Sequence, residues 1–244
     1  MTIKYLGKCL LITAGKEKTL VIGDLHFGYE HELNEAGVLI MRQMYEQLIK
    51  DLGIIFERAG ECKRIIFLGD LKHGFAGINK QEWGDLTRLF DFVSENCEEI
   101  IILKGNHDNY LKNVVERWKK NSIWRGKIDV CDYYIINSIC FVHGDRDFDE
   151  IWNRKIKYVV MGHGHPAIVL REGVKSEKYK CFLAGKFRDK EIIIVPSFAE
   201  WYAGSDVREG EVVMAWDFDF KNFDVKIVGE DLEVLDFGLL RNIK

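Results

Sequence analysis

Five short apolar runs in the sequence each stop at a glycine and at residues that can bind a metal ion. Each run has the length of a β-strand, and the glycine beside it lets the backbone turn sharply. Ligand sites of α/β proteins gather beyond the carboxyl ends of strands, where a rigid strand can aim a side chain. We therefore expect one site, built from five strand ends. The runs and the residues that follow them are 19–23 with Asp24-Leu25-His26, 65–69 with Asp70, 100–105 with Asn106-His107-Asp108, 139–142 with His143-Gly144-Asp145, and 158–162 with His163-Gly164-His165.

The first two-thirds of the chain alternates strand patterns with helical patterns. Between and after the first three strands, apolar residues recur at i, i+3 and i+4 spacing, which is typical of amphipathic helices. The predicted helices cover residues 41–56, 86–93 and 111–118.

The last third is a succession of strand patterns. Asn137-Ser138 lies between two apolar runs and predicts a hairpin. Strand–helix alternation followed by many strands favours an α/β fold class, with two mixed β-sheets packed together and flanked by helices. Because the chain has only two prolines and no repeat or low-complexity linker, we expect a single domain over residues 1–244. The predicted strands of this part are Tyr133–Ile136, Ile139–Val142, Tyr158–Met161, 168–170, 179–183, 192–195, 212–216, 225–228 and 233–237.

Composition indicates a globular protein in a reducing compartment. Hydrophobic residues make up 47% and charged residues 30% of the 244 residues, and no apolar run approaches the length of a membrane span. The apolar stretch at residues 9–12 is too short for a signal-peptide core. The six cysteines are scattered without metal-ribbon spacing, as free thiols are. We expect a cytoplasmic protein that binds no membrane.

The net charge of −4 gives no overall electrostatic evidence for nucleic-acid binding. Two stretches are nevertheless basic, and either could follow a phosphate backbone, although ordinary solvated surface is the favoured interpretation. The first contains Lys112, Arg117, Lys119, Lys120, Arg125 and Lys127, and the second contains Arg171, Lys175, Lys178, Lys180, Lys186, Arg188 and Lys190.

The residue types at the strand ends fit a pair of divalent cations. A single histidine there would more often belong to the core or surface, and Asp24 or Asp70 alone could cap a helix. Five such coincidences are far less plausible, and five of the seven histidines lie in these motifs. Imidazole, carboxylate and one amide oxygen together favour a borderline transition metal over magnesium alone. A shared carboxylate can hold two such ions ~3.5–4 Å apart for in-line attack of a bridging hydroxide on phosphorus.

The ordered motifs DxH, GD, GNHD, HG and GHxH, spread over residues 24–165, resemble the calcineurin-like metallophosphoesterase superfamily. This resemblance implies an αββα sandwich and a dinuclear site. We expect manganese in that site first, with iron, nickel, zinc or cobalt as alternatives. The implied ligands are Asp24, His26 and His165 for one ion, Asn106, His143 and His163 for the other, and Asp70 as the bridge.

The same resemblance implies that His107 binds no metal. It would lie over the scissile phosphate as general acid or charge stabiliser, oriented by Asp108. The string Asp70-Leu71-Lys72-His73 further resembles the GDLxH motif of the SbcD-related branch, in which the histidine helps to handle a phosphodiester. His73 is therefore a third candidate catalytic residue, whereas His31 has no motif role and is interpreted as a surface residue.

Aromatic residues follow the last of the apolar runs at Phe198, Trp201 and Tyr202. They could stack on bases, but a core or interface cluster is the favoured interpretation.

The sequence leaves three functions open. The first is a phosphodiesterase or nuclease acting on nucleic acid, DNA or RNA, or on nucleotides. The second is a phosphomonoesterase or nucleotide pyrophosphatase with the same metal core. The third is a non-catalytic scaffold on this fold, which is disfavoured because all seven ligands and His107 are present.

Overall fold

A six-stranded mixed sheet forms the first layer of the computed structural model, which describes residues 1–75, 77–210 and 212–243. Its strands lie in sequence order; the first three are antiparallel, and the third to the sixth are parallel. The carboxyl ends of three consecutive parallel strands, β3 to β5, therefore meet at one edge. The strands are β1 Thr2–Leu6, β2 Cys9–Ala14, β3 Glu17–Ile22, β4 Arg64–Phe67, β5 Glu99–Leu103 and β6 Lys127–Cys131.

A nine-stranded mixed sheet forms the second layer. Its central strands, Ile139–Val142, Tyr158–Met161 and Lys190–Ile194, are parallel neighbours. The flanking strands are antiparallel to their neighbours, except for the short edge strand Ser205–Asp206, which pairs in parallel with Pro166–Glu172. The strands are β7 Tyr133–Ile136, β8 Ile139–Val142, β9 Tyr158–Met161, β10 Pro166–Glu172, β11 Lys175–Phe187, β12 Lys190–Ile194, β13 Ser205–Asp206, β14 Asp224–Val228 and β15 Val234–Leu239.

The inner faces of the two sheets pack on one another through fully buried apolar side chains. Leu68 and Ile101 from the first sheet belong to the same buried cluster as Phe141, Phe182 and Val195 from the second. Alternation along each strand places every second side chain in this interface, and burial of that apolar surface drives the layers together.

Helices cover the outer face of the first sheet. Leu52, Phe90 and Trp118, from three different helices, pack into one core with that sheet. The outer face of the second sheet is covered differently, by irregular segments whose aromatic side chains include Trp216, Phe218 and Phe223. The four helices are α1 Tyr29–Glu35, α2 Met44–Ala59, α3 Lys80–Ser94 and α4 Leu111–Asn121.

The predicted fold class is confirmed: over the described residues the chain is mixed α/β, with two mixed sheets and four helices. The single domain over residues 1–244 stays a prediction. Within the described ranges, none of the helices has both the length and the apolar character that crossing a bilayer requires.

The predicted helix over residues 41–56 begins later than its apolar pattern suggested. Met41 is exposed, and α2 starts at Met44. The buried carboxylate of Glu30 explains the start, because its Oε1 accepts hydrogen bonds from the N–H groups of Gln43 (2.7 Å) and Met44 (2.6 Å). It thus satisfies donors that a helix N-terminus leaves free.

The predicted strand at residues 212–216 is wrong. These residues form an irregular segment, in which the Ala215 N–H bonds to the Gly144 carbonyl oxygen at 2.9 Å. The apolar pattern serves packing instead of strand pairing: Val212, Met214 and Trp216 pack against the core on the outer face of the second sheet.

The second basic stretch is not uniformly solvated, contrary to the favoured interpretation. Lys190 is fully buried, and its ammonium group bonds to the carbonyl oxygens of Asn153 (3.1 Å) and Ile156 (3.0 Å). The ammonium group of Lys180 likewise donates to backbone carbonyls, those of Ser197 and Ala199.

Candidate metal centre

Strand ends from both sheets converge on a single site. Strands β3, β4 and β5 deliver ligands from the first sheet, and β8 and β9 deliver them from the second. Neither Asp24 nor Asp70 caps a helix: the N-cap of α1 is Gly28, and that of α3 is Asn79. The capping alternative is therefore wrong. The structure brings together all seven predicted ligands, Asp24, His26, Asp70, Asn106, His143, His163 and His165.

Asp24, His26 and His165 form a first group whose potential ligand atoms all lie within 4.8 Å of one another. The Nε2 atoms of the two imidazoles are 3.3 Å apart, and Nε2 of His165 is 3.3 Å from Oδ1 of Asp24. All three side chains are buried. The group matches the first ligand set that the family resemblance implied.

Asp70, His143 and His163 form a second group of the same kind. Nε2 of His143 lies 3.3 Å from Oδ2 of Asp70, 3.1 Å from Nδ1 of His163 and 3.1 Å from Oδ1 of Asn106. Asn106 is exposed, whereas His143 is buried, so this group is open to solvent on the Asn106 side.

The carboxylate of Asp70 lies between the two groups. Besides its contact with His143, its Oδ2 is 4.0 Å from Nε2 of His26 in the first group. Its Oδ1 accepts a hydrogen bond from the His107 N–H at 2.9 Å. One carboxylate thus faces both ligand groups, which is the arrangement that a shared ligand requires.

The donor set around His143 fits a bound cation. Nδ1 of His143 donates to the Leu68 carbonyl oxygen at 2.8 Å, so Nε2 faces the oxygens of Asp70 and Asn106, where it can carry a proton or bind a cation. Burial lowers the pKa of His143, but the hydrogen bond to Asp70 and the charges of Asp24 and Asp70 outweigh it and raise the pKa to about 10. Positive charge is therefore favourable at the point where the acceptor oxygens of Asp70 and Asn106 converge. Imidazole, carboxylate and amide oxygen suit a divalent transition metal at that point.

The backbone at the site is strained. Four candidate ligands adopt left-handed φ angles, which cost non-glycine residues roughly 1–2 kcal/mol each. Such strain persists where the surrounding structure over-determines it, typically at functional sites. The residues are His26 (φ 48°), Asp70 (48°), His163 (62°) and His165 (42°).

Two motif glycines leave room for the carboxylates. A Cβ atom on Gly105 would lie 2.1 Å from Oδ1 of Asp70, and one on Gly162 would lie 2.6 Å from Oδ2 of Asp24. Both distances are far inside van der Waals contact, so any larger residue would displace a candidate ligand.

The prediction that Asp108 orients His107 needs correction. The Asp108 carboxylate accepts hydrogen bonds from the backbone N–H groups of Asp70 (2.7 Å), Leu71 (3.0 Å) and Gly105 (3.0 Å). It is buried beneath the loops and ties two of them together. The imidazole of His107 is held instead by the carbonyl oxygen of His73, which accepts from Nδ1.

His73 lies at the rim of the same cluster. Its Nδ1 is 3.3 Å from Nδ1 of His26, and its Nε2 is 3.1 Å from a carboxylate oxygen of Glu32. With His26 and His107 it forms a third group of converging imidazoles. Burial lowers the pKa of His73.

One aromatic ring at the site, that of Phe75, was missed by the sequence interpretation, and another, that of Tyr202, was assigned to a core or interface cluster. The core interpretation holds for Phe198, which is buried, but not for Tyr202, whose ring stacks on His26 with centroids 5.1 Å apart and an interplanar angle of 17°. Phe75 lies over His107, with a centroid distance of 3.7 Å, and is 58% exposed. Trp201 is partly exposed. The only signal in the sequence was the position of each residue. Phe75 lies two residues beyond the GDLxH motif, and Tyr202 lies in the segment after β12.

Most of the chain matches a known protein family. The family model of the calcineurin-like phosphoesterases matches residues 17–230. This chain belongs to that family. Its reaction class is therefore phosphoester hydrolysis, and the histidine and aspartate groups described above are residues that could bind the divalent metals of a calcineurin-like phosphoesterase.

One solved structure shows the same fold, and others are more distantly similar. The nuclease MPE of Pseudomonas putida is 16% identical over 96% of this chain and 94% of its own, with a TM-score of 0.62. A protein of unknown function from Aquifex aeolicus is 17% identical over 60% of this chain and 78% of its own, with a TM-score of 0.39. Vps29 of Entamoeba histolytica, solved with zinc, is 13% identical over 90% of this chain and 99% of its own, with a TM-score of 0.36. No curated protein matches this calcineurin-like phosphoesterase significantly.

Proposed function

We propose that this calcineurin-like phosphoesterase is a two-metal phosphodiesterase acting on nucleic acid or nucleotides. The observation that carries the proposal is the position of Asp70, whose carboxylate lies between two groups that each hold buried imidazoles. Asp24, His26 and His165 would hold one ion, Asn106, His143 and His163 the other, and Asp70 both. Ions bound by these residues would supply Lewis acidity for activating a water nucleophile and for neutralising phosphate oxygens.

The protein's own residues have distinct tasks around the phosphate. The bond from Nδ1 of His107 to the His73 carbonyl leaves Nε2 facing the site, 3.9 Å from Oδ2 of Asp70. A proton on Nε2 can be given to the departing alcohol oxygen, which is the role of a general acid. His73 brings a second imidazole to the same edge, and Asp108 keeps the loops of Asp70 and Gly105 in register.

The aromatic rings at the rim support a substrate that carries bases. Phe75 is exposed and lies directly over His107, and Tyr202 closes the opposite group by stacking on His26. Aromatic side chains beside a phosphate-processing centre bind bases by stacking without reading their sequence. This arrangement favours a diester within a nucleotide chain over a simple monoester.

The test is a substrate panel with manganese-loaded protein, comparing monoester, chromogenic diester, cyclic nucleotide, single-stranded DNA, duplex DNA and RNA. We expect hydrolysis of the chromogenic diester and of at least one nucleic acid, and its loss after exhaustive chelation. Activity that survives chelation would contradict the metal mechanism, and hydrolysis of monoesters alone would contradict the diester preference. Repeating the panel with iron, nickel, zinc and cobalt tests the manganese preference. We also place the protein in the cytoplasm, a proposal supported by its six free thiols.

Replacing Phe75 with alanine should selectively weaken the binding of nucleic-acid substrates. Stacking on one base contributes about 1–3 kcal/mol, so KM for an oligonucleotide should rise about fivefold or more. The chromogenic diester, which is small, should retain nearly its wild-type kcat. The matched control is Phe237→Ala, which removes an exposed aromatic ring from β15. An equal rise in KM for both variants would remove Phe75 from substrate binding.

A further inference from the structure

Residues 196–199, here called the strap, follow β12 and run to the metal centre without regular secondary structure. The strap is buried, so each of its carbonyl groups needs a donor other than bulk water. Two lysines from other parts of the chain supply donors to three of its four carbonyl groups, those of residues 197–199. The bonds run from Nζ of Lys180 to the carbonyl oxygens of Ser197 (2.9 Å) and Ala199, and from Nζ of Lys8 to that of Phe198 (3.4 Å).

The other edge of the strap holds Asp24. The N–H groups of Phe198 and Ala199 donate to the Asp24 carbonyl oxygen at 2.8 and 3.2 Å, and the Ser197 hydroxyl donates to it at 3.3 Å. The approach is so close that a Cβ atom on Gly23 would lie 2.4 Å from the strap's first carbonyl oxygen. The strap therefore fixes the backbone that carries a candidate ligand of the first group.

The strap also sets the position of Tyr202. The Tyr202 N–H bonds to the Ala199 carbonyl oxygen at 3.4 Å, the same oxygen that accepts from Lys180. The Tyr202 ring then stacks on His26. A continuous chain of contacts thus runs from the ammonium group of Lys180 to two residues of the first ligand group.

Of the two lysines, Lys180 is the more informative to remove. Lys8 also pairs with Asp51 at 2.9 Å and with Glu200, so its loss would leave a buried carboxylate uncompensated. The hydrogen bonds of Lys180 go to carbonyl groups alone. Burial, and then the charge of Lys8, lower the pKa of Lys180 to about 7, which agrees with an ammonium group withdrawn from water to serve the strap.

We propose that Lys180, assisted by Lys8, is a positioning residue for the metal ion held by Asp24, His26 and His165, acting through the strap. The proposal rests on the two-metal function proposed above. If the strap lysines act in this way, removing one should weaken the binding of one metal ion and leave the affinity for the other unchanged. A lysine that served only as a surface charge or in a nearby salt bridge would not have this selective effect.

The test is a calorimetric Mn²⁺ titration of metal-stripped protein without substrate. In Lys180→Met, which keeps the length of the side chain and removes its donors, we expect one of the two binding steps to weaken about 10–100-fold, the range for partners that orient metal ligands. The other step should stay within about twofold of wild type. The strap N–H groups should also exchange their hydrogens faster in this variant.

The matched control is Lys190→Met, which also removes an ammonium group bonded to two carbonyls, those of Asn153 and Ile156, besides its pairing with the exposed carboxylate of Asp189. Both binding steps should be unchanged in it. Wild-type binding of both ions by folded Lys180→Met would overturn the proposal, as would the same selective loss in the control.

If Lys180→Met does not fold, the variant Ser197→Ala tests the proposal instead. It removes one of the three hydrogen bonds on the Asp24 carbonyl oxygen, and it should weaken one of the two binding steps severalfold and leave the other unchanged. Unchanged affinity in this variant would also overturn the proposal. A wild-type protein that binds no Mn²⁺ would instead refute the two-metal function itself, so the two failures are distinguishable.

Discussion

Alanine at position 107 is expected to abolish turnover while leaving both metal ions in place. Nδ1 of His107 is bound to the His73 carbonyl, and its Nε2 lies 3.9 Å from Asp70 without belonging to either of the two groups that hold the predicted ligands. Removing the imidazole should therefore remove a proton donor and no ligand. Loss of a general acid typically costs a factor of about 10²–10⁴ in rate.

The measurement is kcat for the chromogenic diester together with the metal content of the purified variant. His31→Ala is the matched control, because His31 is partly exposed and pairs with Glu35 at 3.4 Å on the surface of α1. Normal turnover in His107→Ala would remove this residue from catalysis. Loss of one metal ion would show instead that His107 is a ligand, as the third group of imidazoles, His26, His73 and His107, would allow.

Asparagine at position 70 is expected to weaken the binding of both metal ions at once. The Asp70 carboxylate faces His26 in one group and His143 in the other, so its charge acts on both sites. Changing partners of metal ligands already costs about 10–100-fold in affinity, and a shared ligand should reach at least the upper end of that range. Turnover should fall with the loss of both ions.

A calorimetric Mn²⁺ titration separates the outcomes. Asp85→Asn is the control, since Asp85 is a buried carboxylate paired with Arg42 and lies outside the candidate site. If Asp70→Asn lost only one ion, Asp70 would be a ligand of that ion alone. Both steps should be unchanged in the control.

Local motifs in the sequence were enough to predict which side chains gather at one site, because each motif combines a strand, its end and the polar residue that follows. The strand pattern ending at Asp24 or at His143 needs no knowledge of distant residues. Parallel pairing of β3 to β5, and of β8 with β9, then brings the ends together, which is why the seven predicted residues lie close together in the structure.

Both errors in the sequence interpretation arose where tertiary contacts, which a local sequence pattern does not show, decide the structure. The apolar run at residues 212–216 is typical of a strand, but its side chains pack on an existing core, and no partner strand pairs with this segment in the described ranges. The prediction for Asp108 failed because neighbours in sequence need not share a hydrogen bond. Its carboxylate turns beneath the loop toward Asp70 and Leu71, while His107 turns outward to His73.

The sequence by itself determined the family, the fold class and the seven candidate ligands, since these depend on periodicity and on short motifs at strand ends. The tertiary structure alone decided what surrounds the ligands. Contacts between residues far apart in the chain place Tyr202 on His26, Phe75 over His107 and the Lys180 ammonium group beneath the strap. Such contacts have no local pattern in the sequence, because they depend on which surfaces the packed sheets and loops bring together.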